Sequence, residues 1–343
     1  MRLVGKTVGV VVLYAVCTFS LGAGDATAAA PKKAEKKNLR SMRYKPGSKD
    51  QATAWRKELR SKIVALLKMD DLISPKTDIP LNPKTISTEK RDKYVLHIME
   101  INSTKTRRMR IAVTLPTNLK GPFPAVVAIG GHSSTHLSCL ESQRGYSRFA
   151  HVLSEKGYVT ISRRVSQHKA YEKGRTLMGE RLWDLMRCVD FLASRQEVDA
   201  RRIGCGGLSL GGEMAMWLGA MDQRVAATVS SGFLTTMDQL ERGHCMCWKF
   251  PGLRDLVDFA DIYAMTAPRA LLCQNGLKER PTWFSVSIAR KALKEIAPIY
   301  ADFKKPGNLE LAAHKGGHEI DLPSLLRFFD KHLGAPAGVE RGQ

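Results

Sequence analysis

Long apolar runs are scarce in this chain of 343 residues. Beyond the N-terminal region none reaches the ~18 residues of a membrane-spanning helix, which excludes a polytopic membrane protein. Cysteine is sparse as well, with seven residues, too few at this length for a small disulfide scaffold. Acidic residues are outnumbered, 33 Asp and Glu against 54 Lys and Arg, so the net charge is +21. Hydrophobic residues at 43% and charged residues at 25% are ordinary for a globular protein and exclude wholesale disorder.

The first thirty residues have the layout of a secretory signal peptide. Arg2 and Lys6 form a basic start, residues 8–21 are an apolar core, and residues 25–30 supply small residues for a cleavage site. We therefore predict that residues 1–30 are removed and that the mature chain, without a transmembrane segment, is exported to the periplasm or the exterior. An N-terminal membrane anchor is the alternative interpretation of the same apolar stretch.

The positive charge belongs to the predicted mature chain, because residues 1–30 contain only two basic residues and one acidic residue. A charge of this size favours electrostatic attraction to an anionic polymer, such as an acidic polysaccharide or DNA. We expect such binding to be non-specific and predict no sequence-specific nucleic-acid partner.

A basic linker is predicted over residues 31–48 and a flexible tail over residues 334–343. Between them, residues 49–333 alternate strand and helix patterns, which predicts a single α/β domain. A hairpin pattern at 94–114 predicts an antiparallel edge, and the short apolar runs that follow predict a mainly parallel sheet with helices on both faces. These runs lie at 125–129, 158–162, 203–208, 225–230, 270–274 and 309–313.

The motif Gly207-Leu-Ser-Leu-Gly211 lies between a predicted strand and a predicted helix. A serine on such a tight turn is forced out of the sheet, and the flanking glycines let neighbouring backbone approach closely. The start of the helix directs the N–H of Leu210 towards an oxyanion that forms at the serine. Ser209 is therefore the candidate nucleophile, and a plain glycine-rich turn is the alternative.

A nucleophilic serine needs a histidine base and an acid that orients the histidine. Where the serine lies on a strand-to-helix turn, the acid and then the histidine follow it along the chain. His318 comes between the last predicted strand and the last predicted helix and is the candidate base. His314, at the end of that strand, is the alternative histidine and is expected to be structural.

The acid is expected just after the predicted strand at 270–274. Glu279 is the first carboxylate beyond that strand and is the candidate. A surface glutamate between Lys278 and Arg280 is the alternative interpretation, in which case Asp258 or Asp261 would orient the histidine.

The remaining site residues are predicted from the loops at the same edge of the sheet. The backbone N–H of His132, after Gly130 and Gly131, is the candidate second oxyanion donor, with Leu210 as the first. The segment 234–262 is predicted to shape the substrate pocket, although its aromatic residues would alternatively form a small core beneath a long loop. The residues predicted to contact substrate are Gly131, His244 and Trp248.

No metal site and no cofactor are predicted. Cys245 and Cys247 lack the second pair of cysteine or histidine residues that a zinc site requires. Cys205 and Cys273 lie within apolar runs, where a buried free thiol is the usual state.

Four motifs together resemble the α/β-hydrolase superfamily, and most closely its secreted acetyl xylan esterase-like and dienelactone hydrolase-like branch. The resemblance covers roughly residues 90–333 and differs at Gly130, where many relatives have histidine, and at Glu279, where most have aspartate. It implies the α/β-hydrolase fold and ester hydrolysis through an acyl-enzyme, without a metal or organic cofactor. The motifs are Gly130-Gly-His132, Gly207-Leu-Ser-Leu-Gly-Gly212, Thr266-Ala-Pro-Arg-Ala-Leu-Leu272 with Asn275-Gly276 after it, and Gly316-Gly-His318.

The sequence thus predicts an exported serine esterase that acts on short-acyl esters, including those of acetylated carbohydrates. Two alternatives remain. One is a non-catalytic protein of the same fold that binds an acidic polymer, which the charge favours. The other is a serine peptidase of the same fold, which would usually carry a large extra domain.

Overall fold

The computed structural model describes residues 39–74 and 78–334. The predicted signal peptide, residues 31–38 of the predicted linker and all of the predicted tail except Gly334 lie outside these residues. The strands are β1 (Lys84–Lys90), β2 (Tyr94–Asn102), β3 (Arg108–Pro116), β4 (Phe123–Ile129), β5 (Val159–Arg163), β6 (Val198–Leu208), β7 (Val225–Ser231), β8 (Ala270–Gly276) and β9 (Leu309–His314). The helices are α1 (Lys49–Leu66), α2 (Asp70–Ile73), α3 (Ser138–Glu141), α4 (Phe149–Glu155), α5 (Leu177–Ala193), α6 (Leu210–Met221), α7 (Met237–Leu240), α8 (Leu253–Leu256), α9 (Phe259–Ala264), α10 (Val286–Asp302) and α11 (Leu322–Leu333).

All of these strands belong to one mixed sheet, in the order β1-β2-β3-β5-β4-β6-β7-β8-β9. Strands β1, β2 and β3 pair antiparallel, and β3 pairs antiparallel with β5. From β5 to β9 every neighbouring pair is parallel. The predicted fold class, a mainly parallel sheet with an antiparallel N-terminal edge, is therefore confirmed. Because parallel strands all end at one edge, the loops after β4, β6, β7, β8 and β9 meet there.

The central strands are buried on both faces, as continuous apolar runs predict. Every residue of β4 is buried, and helices cover the two sides of the sheet. On one side α5, α6 and α10 pack in the larger apolar core, and on the other α4 and α11 pack in the smaller one. None of the helices described is long and apolar enough to cross a membrane.

Strand β1 was not predicted. Each of its residues is exposed, and it extends the sheet beyond the hairpin of β2 and β3. Its sequence, Lys-Thr-Ile-Ser-Thr-Glu-Lys, contains no apolar face to signal a strand.

The boundary predicted at residue 48 is wrong, because residues 39–48 are not a solvated linker. Met42 and Tyr44 are buried, and Arg40 forms ion pairs with Asp261 and Glu295. Met42 also donates its N–H to the carbonyl of Leu256. Contacts with residues more than 200 positions away hold this segment on the domain, so the domain begins before α1.

Candidate active site

Ser209 stands at the turn from β6 into α6 with φ 61° and ψ −122°, a backbone conformation that non-glycine residues seldom adopt. The flanking glycines make the turn sterically feasible. A Cβ on Gly207 would lie 2.4 Å from the carbonyl oxygen of Ile129, and one on Gly211 would lie 2.1 Å from the same atom. The turn is thus pressed against the end of β4, and larger residues at either glycine would push the serine out of position.

Two loops present backbone N–H groups beside Ser209. Leu210 is the first residue of α6, so its N–H has no acceptor within the helix. Gly131 packs directly on the turn, since a Cβ there would lie 3.3 Å from the Cβ of Ser209. The N–H of Gly131 donates to the hydroxyl of Tyr146 at 2.7 Å and is therefore engaged. The N–H of His132, the next along this loop, stays the predicted second donor.

The side chains of His318 and Glu279 are in contact. Nδ1 of His318 lies 2.8 Å from Oε1 of Glu279, and the glutamate side chain is only 4% exposed. An ionised carboxylate only accepts hydrogen bonds, so Nδ1 carries the proton and donates it, and Nε2 is left free to act as a base. The structure therefore brings the candidate base and the candidate acid, 39 residues apart in sequence, into hydrogen-bond contact.

The loops that carry these two residues are tied together by their backbones. The N–H of Leu277 donates to the carbonyl of His314, and the N–H of Lys278 donates to that of Gly316. Gly276 allows this approach, because a Cβ there would lie 2.2 Å from the carbonyl oxygen of Gly317.

The imidazole of His318 lies against the end of β7. A Cβ on Gly232 would be 2.8 Å from Cε1 of the ring. The N–H of Ser209 donates to the carbonyl of Ser231, the residue before Gly232. Within the described residues no hydrogen bond joins the side chains of Ser209 and His318. In enzymes without substrate such catalytic hydrogen bonds are often long and tighten when substrate binds.

The alternative acids contact other groups. Asp261 accepts hydrogen bonds from Arg40, Tyr44 and the N–H of Asp258. Asp258 caps α9 and accepts from the N–H of Met237. Both carboxylates are buried at the start of α9, where they hold the backbone together. The alternative base, His314, accepts at Nδ1 from the N–H of Gly316 in its own turn.

Of the residues predicted to contact substrate, Gly131 lies beside Ser209 as described, and His244 lies near the catalytic pair. The ring of His244 packs edge-on against Phe284, which in turn stacks on His318 with a centroid distance of 5.5 Å. Burial is the main cause that lowers the pKa of His244. The prediction for Trp248 is wrong: this side chain is 1% exposed and packs against Phe259 in the core, beneath the segment rather than on its surface.

Sequence reasoning missed three aromatic residues of this region. Tyr146 holds the N–H of Gly131, Trp283 contacts His244, and Phe284 covers one face of the His318 ring. The backbone of Phe284 is fixed by the side-chain amide of Asn275, at the end of β8. Trp283 and Phe284 follow Glu279 closely in the loop after β8, and this position in the sequence could have predicted that they lie near His318.

Next to these residues a second cluster forms from side chains that are far apart in sequence. His132, His168, Cys245 and Cys247 each contribute one nitrogen or sulfur atom to this cluster, and all four atoms lie within 4.8 Å of one another. Burial and the nearby His168, Arg181 and His244 lower the pKa of His132 to about 4. A metal site was not expected because Cys245 and Cys247 lacked a second pair of ligands, and the structure supplies that pair from two other loops.

A serine on a strained turn after a central parallel strand, followed by an acid and a histidine on later loops of the same edge, is the arrangement typical of the α/β-hydrolase fold. The family model of fungal glucuronyl esterases matches residues 98–233, which run from β2 to just beyond β7 and include Ser209.

Known proteins that resemble the chain are named as hydrolases and esterases. The Bacillus subtilis (strain 168) protein YtaP, named a hydrolase, is 24% identical over 282 residues, 74% of this chain and 93% of its own. A Bacteroides fragilis NCTC 9343 structure described as an acetyl xylan esterase has a TM-score of 0.65 at 18% identity, covering 81% of this chain and 80% of its own. The glucuronoyl esterase from Solibacter usitatus has a TM-score of 0.64 at 19% identity, covering 81% and 93%.

These comparisons confirm the resemblance to α/β-hydrolase-type esterases and the predicted fold. They support a carboxylic ester hydrolase as the broad class of activity.

Proposed function

We propose that this protein is an exported serine esterase that hydrolyses short-acyl esters of carbohydrates. The observation that carries the proposal is the contact between His318 and the buried carboxylate of Glu279, on the same edge of the sheet as the strained Ser209. Export rests on the signal-peptide pattern of residues 1–30, which lie outside the described part of the chain.

In this mechanism Oγ of Ser209 attacks the ester carbonyl while Nε2 of His318 takes the serine proton. Glu279 holds the imidazole in the required tautomer and stabilises the imidazolium that forms. The N–H groups of Leu210 and His132 donate to the oxyanion of the tetrahedral intermediate. His318 then returns the proton to the leaving alcohol, and a water molecule that it activates hydrolyses the acyl-enzyme.

The surroundings of the catalytic pair favour a polar alcohol group over a long acyl chain. His244, Trp283 and Phe284 form a wall of rings beside His318, of which His244 and Trp283 are partly exposed. Such rings pack against the faces of sugar rings while their polar atoms remain available for hydrogen bonds. Each acyl methylene that stays in water forgoes ~0.8 kcal/mol of burial, so we expect activity to fall as the acyl chain lengthens.

A second candidate reaction is hydrolysis of an ester between a uronic acid and an alcohol, with the sugar on the acyl side. The match of residues 98–233 to the glucuronyl esterase model favours it. The two reactions share the mechanism and differ in which side of the ester contacts the aromatic wall.

Labelling with a fluorophosphonate probe, followed by peptide mapping, tests the nucleophile. We expect one labelled peptide, that of Ser209, and no labelling of Ser209→Ala. Ser133→Ala is the matched control, because Ser133 is an exposed serine in the loop after β4 and also has a positive φ of 61°. A properly folded protein that the probe does not label would favour the non-catalytic alternative.

Substrate class is tested with p-nitrophenyl esters of increasing acyl length, acetylated xylan and the methyl ester of glucuronic acid. We expect kcat/KM to be highest for acetyl or butyryl esters, with acetate released from xylan. A maximum at long acyl chains would refute the carbohydrate assignment, and preference for the glucuronic ester would establish the second candidate in its place.

A further inference from the structure

The cluster of His132, His168, Cys245 and Cys247 brings together loops that are remote in sequence. His132 follows β4, His168 follows β5, and both cysteines lie between α7 and α8. Nε2 of His132 lies 3.4 Å from Sγ of Cys247, and Nε2 of His168 lies 3.7 Å from Sγ of Cys245. The two imidazole rings stack on each other at a centroid distance of 5.4 Å.

These distances fit the ligand shell of one tetrahedral ion. Zinc binds nitrogen and sulfur at ~2.0–2.3 Å, so atoms at tetrahedral angles around it lie about 3.3–3.8 Å apart. The two nitrogen–sulfur distances fall in this range, and the whole set, within 4.8 Å, needs only a small contraction. Two thiolates and two imidazoles are a donor set that selects zinc over the hard cations magnesium and calcium.

Groups around the cluster hold the ligands in place. Nη1 of Arg181, a fully buried residue, donates to Sγ of Cys247 at 3.6 Å. A guanidinium in this position stabilises a thiolate, and such outer contacts commonly orient metal ligands. His244 lies at the edge of the cluster, with its ring 6.5 Å from that of His132, and belongs to the wall beside His318.

We propose that His132, His168, Cys245 and Cys247 form a Cys2His2 zinc site. Four protein ligands leave no open position for water or substrate, so the ion is structural. It joins the loop that carries the candidate oxyanion donor to the segment 234–262. Because His132 binds the ion through Nε2 of its ring, its backbone N–H remains available to the oxyanion. Zinc binding takes the thiol protons of both cysteines into solvent, which makes affinity increase with pH.

The test uses the full chain, purified under reducing conditions without chelator, with metal content measured by elemental analysis. We expect about one zinc per chain, the stoichiometry of a closed four-ligand site. After exchange with cobalt, the protein should show the intense visible bands of tetrahedral cobalt and a thiolate charge-transfer band. This spectrum reports the ligand set independently of activity.

Variants at the cluster should weaken the site. Cys247→Ser and His168→Gln should each lower zinc affinity by at least the ~10–100-fold seen when only an outer contact is lost. Cys247→Ser should also weaken the charge-transfer band, and His168→Gln should leave that band present. The matched control is His136→Gln, which changes a histidine of the same loop as His132 that is not in the cluster.

Two results would overturn the proposal. One is a protein that contains no zinc as purified and gives only the weak spectrum of octahedral cobalt. The other is a chain that, purified in parallel without reductant, is lighter by two hydrogens and carries a disulfide between Cys245 and Cys247. The site does not depend on the proposed esterase activity: Ser209→Ala should bind zinc normally, and an inactive protein that binds zinc would refute only the proposed function.

Discussion

The contact between Glu279 and His318 gives the sharpest test of the mechanism. Glu279→Gln keeps a side chain of nearly the same size, whose amide oxygen still accepts a hydrogen bond from Nδ1. The substitution removes the negative charge 2.8 Å from the ring, where the glutamate side chain is 4% exposed. The variant therefore separates charge from packing.

The size of the effect follows from the charge that forms on His318 during the reaction. Two unit charges about 4 Å apart attract by about 4 kcal/mol at an effective dielectric constant of ~20. A barrier raised by that amount corresponds to roughly 10³-fold in rate. The His318 side chain is 39% exposed, so solvent screens part of this attraction. We expect kcat to fall about 10²–10³-fold. This is less than the ~10⁴-fold loss in a serine protease whose triad aspartate is replaced by asparagine, where the imidazole also takes the wrong tautomer.

The assay is steady-state hydrolysis of p-nitrophenyl acetate, with kcat and KM measured separately. KM should change little, because Glu279 acts on the imidazole and does not touch substrate. Glu319→Gln is the matched control: it removes one negative charge from the residue next to His318 and leaves the contact between His318 and Glu279 in place. It should retain nearly full activity.

A Glu279→Gln enzyme with wild-type kcat would refute the assignment. If Asp261→Asn were then inactive but as stable as the wild type, the acid would lie at the start of α9. From the structure we expect instead that Asp261→Asn is destabilised, because it loses a buried ion pair with Arg40.

Three further predictions concern stability and binding. Burial raises the pKa of Glu213 from 4.5 to about 7, so its contribution to stability is present below pH 4.5 and is lost as the pH rises through 7. Glu213→Gln should therefore unfold at a higher temperature than the wild type at pH 8, and at a similar temperature at pH 4.5. Gly276→Ala should lower stability by roughly 1–3 kcal/mol and reduce kcat, because its Cβ would meet the carbonyl oxygen of Gly317 and separate the loops of Glu279 and His318. Binding of the mature chain to an acidic polysaccharide is driven by the positive charge that remains when residues 1–30 are removed, and it should weaken steeply from low to physiological salt.

Each of these has a control or a contradicting result. Equal pH dependence in Glu213→Gln and the wild type would mean that this carboxyl does not titrate between pH 4.5 and 8. Gly307→Ala is the control for the glycine, since a Cβ there meets nothing within 4 Å, and equal losses in both variants would refute the steric argument. Polymer binding that does not respond to salt would show that the basic residues do not form a binding surface.

Local sequence patterns, mainly short apolar runs, predicted most of the fold. Each strand of the parallel part of the sheet was predicted within a few residues, because strands covered on both faces need uninterrupted apolar residues. The exposed strand β1 was missed for the converse reason, since its pairing with β2 depends on backbone hydrogen bonds and requires no apolar side chain.

Sequence order also indicated the candidate base and acid, because each loop at the edge of a parallel sheet follows its own strand. Glu279 and His318 were chosen from the chain order serine, acid, histidine and from the strands that precede them, and their side chains lie in contact. The choice between Glu279 and the two aspartates required the structure, which shows Asp258 and Asp261 engaged at the start of α9.

The sequence by itself determined the order of the strands along the chain, the turn that carries Ser209 and the loops that follow the strands. These features depend on glycine spacing and apolar runs, which are local signals of backbone sterics and burial. Only the tertiary structure decided which remote side chains meet. The burial of Trp248, the packing of Arg40 against Asp261, and the meeting of His132 and His168 with the two cysteines depend on how loops from different strands approach one another. No local pattern encodes such an approach, because it is set by the packing of the whole domain.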